Sequence, residues 1–355
     1  MEVAIFKCRP DNPFHFGKTS LENSGDIIHS DTLFSAIVNT YHQVYPSDVE
    51  NLIKAFQEGQ IRISSAFHCL EYAPDQYFFF LPRPVNYQHT TGGNVKSFKK
   101  IRFFSLGIWK NLPEKEKLLN NPRLILGESY LVTETELYQI GLHPDYLKPN
   151  EFLRDQKLVR TEMYPKVRVH ASDQENVFYH QFHIQLQELQ TVEEEDNPHP
   201  NKQTHFYFLL ETPPDSPLTE RFKQIIRLLA DEGIGGERSV GCGTFRSVVF
   251  KSAVEMGFPA RDEKSTQCTL SLTIPASQDD FDATEAYQLV LRGGGSLGIK
   301  GEAENHRRQI HMIAEGALAK HEVKGKMVNL APPDFRAVYR NGMSFSLPIH
   351  LPSKT

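Results

Sequence analysis

The spacing of apolar residues at the start of the chain predicts a strand, a helix and two further strands. Residues 2–6 alternate like a short strand, and over 31–45 the apolar side chains recur every three or four residues, as on one face of a helix. Ser30 precedes this pattern and is the expected N-cap. Strand-like runs follow at 61–67 and 77–81.

The middle of the chain completes a strand and helix pattern. Runs at 166–170 and 177–186 flank turn-forming residues and predict a hairpin. A helix is expected over 218–232 with Gly233 as its C-cap, and a strand resumes at 245–250. The order is β-α-β-β-α-β, the ferredoxin-like arrangement that RRM domains share, with a Gly-rich loop after the second helix.

The fold class is therefore α+β, and the length of 355 residues predicts two domains. We place the first at 1–256, with an insertion at about 85–160 where the patterning is weak. The second, at 257–355, is shorter and rich in alternating runs. Its strands are expected at 267–274, 286–292, 309–314, 323–330 and 335–339.

The composition is that of a globular protein, with 39% hydrophobic residues. The N-terminus lacks a secretory signal pattern and no apolar stretch reaches membrane-spanning length, so we expect a cytoplasmic protein with no membrane partner. The four cysteines are scattered, which predicts neither disulfides nor a zinc site. Because the net charge is −5, any nucleic-acid site must be a local basic patch.

Five glycines between 233 and 243 form the sharpest local motif. Such a loop can direct several backbone N–H groups at one oxyanion. It follows a helix and leads into a strand, the reverse of nucleotide-cofactor loops, so a polynucleotide backbone is the better candidate ligand. A helix cap followed by a tight turn explains the glycines equally well, but Arg238 and Arg246 nearby favour RNA.

Cofactor and metal sites are not predicted elsewhere. Residues 293–298 match G-x-G-x-x-G formally, but no helical face follows them. His180 and His183 point to opposite faces of their strand, so they cannot share one ion.

The first loop contains residues that could act in RNA cleavage. His15 and His29 could serve as general acid and base, although ordinary polar roles explain them more simply. Asp26 and Asp31 could bind a divalent ion. Asp31 is equally explained by its place in the first turn of a helix, where the helix dipole favours a carboxylate.

The run from Lys96 to Phe104 alternates basic and aromatic residues, including Lys99 and Arg102. Such a combination suits single-stranded RNA, because cations attract phosphates while rings stack on bases. Aromatic side chains of an ordinary amphipathic strand explain it about as well.

Three blocks together resemble the RAMP superfamily, and in particular the fourth subunit of the type III-A CRISPR (Csm) effector complex. They are FHFGKTSLENSGDIIHSDTLFSAIVNTY at 14–41, GIGGERSVGCGTFRS at 233–247 and VYRNGMSFSLPI at 338–349. The resemblance implies two ferredoxin-like domains and a non-catalytic scaffold without a cofactor. Such a subunit holds the repeat-derived 5′ handle of the CRISPR RNA and contacts the RAMP backbone subunit and the large polymerase-like subunit.

The resemblance also assigns RNA-binding residues. A thumb-like hairpin is expected around Arg168 and His170. The remaining residues lie in the first loop and in the Gly-rich loop: His15, Gly17, Lys18, His29, Ser30, Gly235, Gly236, Arg238, Ser239 and Gly241.

Two residues of the Gly-rich loop depart from the family pattern. Glu237 stands where a basic residue is usual and Cys242 where an aromatic residue is usual, so Glu237 should weaken phosphate attraction locally. Two alternatives stay open: a RAMP-type metal-independent endoribonuclease that processes precursor CRISPR RNA with His15 or His29, and the equivalent subunit of the type III-B complex.

Overall fold

The computed structural model defines strands and helices throughout most of the chain. It describes residues 1–10, 12–17, 24–85, 87, 99–112, 124–142, 152–168, 177–189, 202–293, 308–331 and 337–351. The strands are β1 (Glu2–Lys7), β2 (Pro13–Phe14), β3 (Arg62–Ile63), β4 (Phe67–Ala73), β5 (Gln76–Pro82), β6 (Phe103–Ser105), β7 (Ile125–Leu126), β8 (Tyr130–Leu131), β9 (Val159–Arg168), β10 (Val177–Leu186), β11 (Glu188–Leu189), β12 (Lys202–Glu211), β13 (Ser247–Ser252), β14 (Gln267–Thr269), β15 (Thr284–Ala286), β16 (Leu289–Arg292), β17 (Ile310–Ile313), β18 (Leu318–Ala319), β19 (Val328–Asn329), β20 (Tyr339–Arg340) and β21 (Ser346–Pro348). The helices are α1 (Ser30–Val44), α2 (Val49–Gln57), α3 (Leu106–Lys110), α4 (Glu134–Gln139), α5 (Phe152–Asp155) and α6 (Pro217–Glu232), followed by a 3-10 turn at Arg238–Val240 and α7 (Gln278–Ala283).

A large sheet organises the first two thirds of the chain. Its strands lie in the order β13-β1-β12-β4-β5-β6-β8-β7, and only the β6–β8 pair is parallel. Strands β3 and β11 extend it beside β12. Because β12 lies between β1 and β4, the third strand of the predicted β-α-β-β-α-β order is β12, not the run at 77–81, which forms β5.

The side chains of strand β1 show that the sheet is buried on both faces. Val3 and Ile5 join one hydrophobic core, whereas Ala4 and Phe6 join another on the opposite face. The second core contains the apolar faces of α1, α2 and α6. The first contains the insertion and residues of β14 and β21. A strand with two covered faces is apolar at every position, as the run VAIF shows.

The two predicted helices are confirmed, and the five other α-helices of the described residues were not expected. α1 and α6 begin and end within one residue of the expected bounds. Ser216 caps α6 with its side chain, Pro217 occupies its first turn, and Gly233 ends it at a φ of 85°. The N-cap prediction for α1 was wrong, since His29 holds that position and Ser30 is the first helical residue. Helix α2 was not expected.

The predicted hairpin is confirmed and is longer than expected. β9 and β10 pair in antiparallel register from Val159 opposite Leu186 to Arg168 opposite Val177. Strand β2 pairs with β10 and completes a three-stranded sheet. The Gly-rich loop and the hairpin therefore both approach the first loop of the chain.

The C-terminal third has shorter strands than the alternation predicts. Its main sheet has the order β15-β18-β14-β21, with separate two-stranded pairs β16–β17 and β19–β20. The run at 286–292 is divided between β15 and β16, and the runs at 267–274 and 323–330 are strands over only two or three residues.

A buried ion cluster connects the start of α1 to the C-terminal third. Arg292 donates Nε and Nη2 to the two carboxylate oxygens of Asp31, at 2.9 Å each, and Arg340 also bonds to Asp31. The carboxylate is only 2% exposed. Burial alone would raise the pKa of Asp31, but the two guanidiniums lower it below its ordinary value. Both carboxylate oxygens of Asp31 thus accept hydrogen bonds from arginines, and the hypothesis that Asp31 binds a divalent ion was wrong.

We predict that Asp31→Ala lowers the free energy of unfolding by about 3–5 kcal/mol, because two largely buried cations lose their carboxylate. Denaturant unfolding of the full chain measures this. The matched control is Lys54→Gln, which removes an exposed pair with Glu58 and should cost less than about 0.5 kcal/mol. A loss of under about 1 kcal/mol for Asp31→Ala would contradict the structural role assigned to the cluster.

Candidate nucleic-acid interface

The Gly-rich loop packs directly against the first loop of the chain. Gly235 has a φ of 104°, and a Cβ there would overlap the His15 carbonyl oxygen. The Gly236 amide donates to that same oxygen at 2.9 Å, and the Gly243 amide donates to the Pro13 oxygen at 2.9 Å. A Cβ at Gly243, which has a φ of 81°, would likewise overlap the Ile234 carbonyl oxygen, so close backbone approach requires glycine at both 235 and 243.

The expected cradle of glycine amides is largely occupied within the chain. The amides of Gly236 and Gly243 are used as described, and the Gly241 amide donates to Arg238 at 3.0 Å. These three N–H groups stabilise the loop and do not face an outside ligand. The stretch Arg238–Gly241 is nevertheless exposed, so the loop presents a side-chain surface with Arg238 and Ser239 on it.

A pocket of about 290 Å³ lies where the two predicted loops meet. Its walls come from the first loop, the N-terminal half of α1, the Gly-rich loop and β16. The lining includes Phe16, Gly17, Gly25, Ile27, His29, Thr32, Ala36, Asn39, Gly233, Gly235, Gly236, Arg238 and Arg292.

The structure brings together five of the residues predicted to bind RNA: Gly17, His29, Gly235, Gly236 and Arg238 line this one pocket. The sequence patterns placed the two loops far apart in the chain, and their meeting is a result of the fold. Arg292 was not predicted, and its pairing with Asp31 explains why it is held at the pocket wall.

The two histidines of the first loop have different environments. His15 is buried, its Nδ1 lies 2.9 Å from the Phe182 oxygen, and its ring packs on His183. His29 lines the pocket, and its Nδ1 lies 2.8 Å from Oε1 of Glu315. Burial would raise the pKa of Glu315, but His29 and a hydrogen bond from Ser65 lower it.

Ser30 faces away from the pocket. Its Oγ accepts a hydrogen bond from the Leu272 amide at 3.0 Å, and its own amide donates to Ser65 Oγ at 2.8 Å. The residue is fully buried. Its side chain connects α1 to the C-terminal third of the chain, and in this position it cannot contact RNA directly.

Glu237 connects the Gly-rich loop to the hairpin. Its carboxylate lies 2.6 Å from Lys166 Nζ on β9. The hydrogen bond from Lys166 lowers the pKa of Glu237, with further contributions from Gln181 and His15. Glu237, which departs from the family pattern, therefore makes a structural contact with the hairpin in this chain.

The basic and aromatic run is divided between surface and core. Phe103 and Phe104 are buried, so the interpretation that they stack on bases was wrong. Arg102 Nη2 donates to Asp26 Oδ1 at 3.0 Å, while Lys99 is exposed. Lys100 is also exposed and donates to Glu128 at 3.0 Å, whereas residues 88–98, with Lys96 and Phe98 of the run, lie outside the described residues.

Other predicted residues contribute less to the geometry. Lys18 and His170 lie outside the described residues, and Arg168 ends β9. Arg246 is exposed, and its amide donates to the Lys7 oxygen. The opposite orientation of two strand histidines is confirmed, because His180 is exposed and His183 is buried.

Two features are absent from the described residues. These residues contain no cluster of three or more His, Cys, Asp or Glu side chains that could hold a metal ion. None of the helices in this part of the chain is long and apolar enough to span a membrane.

Comparisons with known proteins agree on one family. The family model of the CRISPR Csm4 C-terminal domain matches residues 262–349. The CRISPR system protein Csm4 of Methanocaldococcus jannaschii is 26% identical over 362 residues, which cover 94% of this chain and 89% of that protein. The chain is therefore similar to Csm4 over nearly its whole length. The Csm4 protein of Thermococcus onnurineus is 28% identical over 328 residues, 92% of this chain and 93% of that protein.

Solved Csm4 structures share the fold. A crystal structure of the Csm3–Csm4 subcomplex of a type III-A CRISPR–Cas interference complex matches with a TM-score of 0.69 and 24% identity, over 99% of this chain and 100% of that chain. A Csm1–Csm4 cassette bound to pppApA matches with a TM-score of 0.53 and 21% identity over both full chains. The mixed α+β architecture of this chain is thus that of Csm4.

Proposed function

We propose that this chain is the RNA-binding scaffold subunit of a type III-A CRISPR effector and holds the repeat-derived 5′ handle of the CRISPR RNA. One observation carries the proposal. In this chain, which is similar to Csm4, two loops that lie about 200 residues apart in the sequence form one pocket, and Arg238 lies at its edge. The cation and the polar backbone around it suit a ribonucleotide strand.

The proposed role of each group follows from its exposure. Arg238 and Ser239 are exposed and contact phosphates. His29 is oriented by Glu315 and contributes a ring nitrogen to the pocket wall. The loop glycines shape the pocket by allowing close packing on His15, and they do not themselves carry the binding energy.

The partners follow from the named relatives. Csm4 occurs in solved structures with Csm3 and with Csm1. We propose that this chain likewise links the RAMP backbone subunit to the large polymerase-like subunit. The equivalent subunit of a type III-B complex is the alternative, and the subunits that co-purify with the chain distinguish the two.

We also propose that both halves are variants of the ferredoxin-like fold, divided near residue 257. The order β13-β1-β12-β4, with α1 and α6 between strands, supports this for the first half. The order β15-β18-β14-β21 repeats that arrangement, with α7 after its first strand. We assign the expected thumb to the β9–β10 hairpin, which contacts the Gly-rich loop through Lys166 and Glu237.

Under the scaffold proposal, neither His15 nor Asp31 is expected to act as a nuclease residue. His15 is 4% exposed and hydrogen-bonded to Phe182, which is unfavourable for activating a ribose 2′-hydroxyl. Asp31 is bound by two arginines. His29 remains at the pocket, so the endoribonuclease alternative depends on this residue.

We predict that Arg238→Glu weakens binding of repeat RNA about tenfold, because one charge-assisted phosphate contact is lost. The slope of log K against log salt should decrease in magnitude by about 0.7, as for one contact to a single strand. Fluorescence anisotropy of the purified full chain over a salt series measures both. Lys264→Glu, which reverses an exposed loop cation of the other half, should change neither. An unchanged slope for Arg238→Glu would argue against this contact.

We predict that the chain leaves labelled repeat RNA intact over hours, because His29 has no second histidine beside it among the described residues that line the pocket, and His15 is buried. Denaturing gels of RNA incubated with the wild type, His15→Ala and His29→Ala measure this. Cleavage by the wild type that disappears in His29→Ala would replace the scaffold proposal with the endoribonuclease.

A further inference from the structure

The carboxylate of Glu237 sits in a cradle of hydrogen-bond donors. Lys166 Nζ lies 2.6 Å away, and Gln181 from the paired strand also bonds to it. The two side chains lie on one face of the hairpin, because Lys166 is opposite Tyr179 and Tyr164 is opposite Gln181. The carboxylate is held by the hairpin although it belongs to the loop.

Lys166 and two imidazole rings surround the carboxylate of Glu237. His15 and His183 lie behind the contact, with ring centroids 5.6 Å apart, and Lys166 faces both His183 and Glu237. Glu162, which lies opposite His183 in the hairpin, accepts a hydrogen bond from the Tyr164 hydroxyl at 2.8 Å, whereas Glu237 is the carboxylate that contacts Lys166. Without Glu237, Lys166 and Gln181 are left as donors for an oxyanion.

Glu237 is not required there by backbone geometry, and it stands next to an exposed arginine. It adopts a φ of 59°, in the left-handed region that side-chain-bearing residues rarely occupy. It immediately precedes Arg238, which is exposed and lines the pocket. A strand of RNA that passes Arg238 on its way to the hairpin would meet the Lys166 cradle next.

We propose that Lys166 and Gln181 form a further phosphate-binding site for the RNA, and that the carboxylate of Glu237 occupies this site in the free chain. The inference rests on the proposed RNA-binding function and extends it onto the hairpin. A phosphodiester offers the same charge and acceptor oxygens as the carboxylate, so it competes for the same donors. Glu237 therefore limits RNA affinity by self-competition.

The test is the affinity of the full chain for repeat RNA, measured by fluorescence anisotropy over a salt series. Glu237→Gln should bind roughly tenfold more tightly, the effect expected of one added charge-assisted contact. Its salt slope should steepen by about 0.7. Glu237→Gly should do the same, because glycine accepts the left-handed conformation. Adding Lys166→Gln to either variant should remove both gains.

The matched control is Asp231→Asn, which removes an exposed negative charge near the end of α6 and should change affinity less than about twofold. Unchanged affinity and slope in both Glu237 variants would overturn the inference while wild-type binding leaves the proposed function intact. A gain that survives Lys166→Gln would also overturn it, because the gain would then come from net charge alone. Absence of RNA binding in the wild type and in every variant would refute the proposed function and this inference together.

Discussion

The buried carboxylate of Asp31 is the interaction on which the arrangement of the two halves depends. A desolvated carboxylate is tolerated only when its oxygens are fully hydrogen-bonded, and Arg292 and Arg340 meet that requirement from strands far along the chain. Satisfying Asp31 places β16 and β20 against the start of α1. As a consequence Arg292 forms part of the pocket wall, and Glu315 reaches His29.

Different residues of the Gly-rich loop pack against the core and face solvent. Its glycines allow the backbone to lie against the His15 carbonyl, and their amides are consumed in holding that position. Binding groups are therefore expected on the exposed stretch between them, where Arg238 and Ser239 have no packing role. A loop of this kind is rigid where it meets the core and chemically open where it meets solvent.

Sequence patterns predicted the elements that depend on interactions between residues close together in the chain. The two long helices, the β9–β10 hairpin and the Gly233 cap follow from apolar periodicity, turn residues and φ preference. Helix α2 carried the same signal, with Leu52, Ala55 and Phe56 at helical spacing, and could have been found. The identity of the third core strand could not, because β12 pairs with β4 across more than a hundred intervening residues.

Long-range partners were beyond sequence patterns for the same reason. Nothing local distinguishes an Asp31 that stabilises a helix dipole from one that binds two arginines, or a Ser30 that caps from one that bonds to Leu272. The Glu237–Lys166 contact joins residues whose proximity exists only in the fold. The resemblance to a family identified both loops of the pocket, but it could not show which of their atoms are already occupied.

We propose that RNA binds in the pocket between the first loop and the Gly-rich loop. Photo-crosslinking is the decisive measurement, with 4-thiouridine placed at each position of the repeat-derived handle and the modified peptides identified by mass spectrometry. We expect cross-links within residues 14–17 and 235–241 for at least one handle position. Efficient cross-links confined to other surfaces, with none at these two segments, would rule out this pocket as the RNA site.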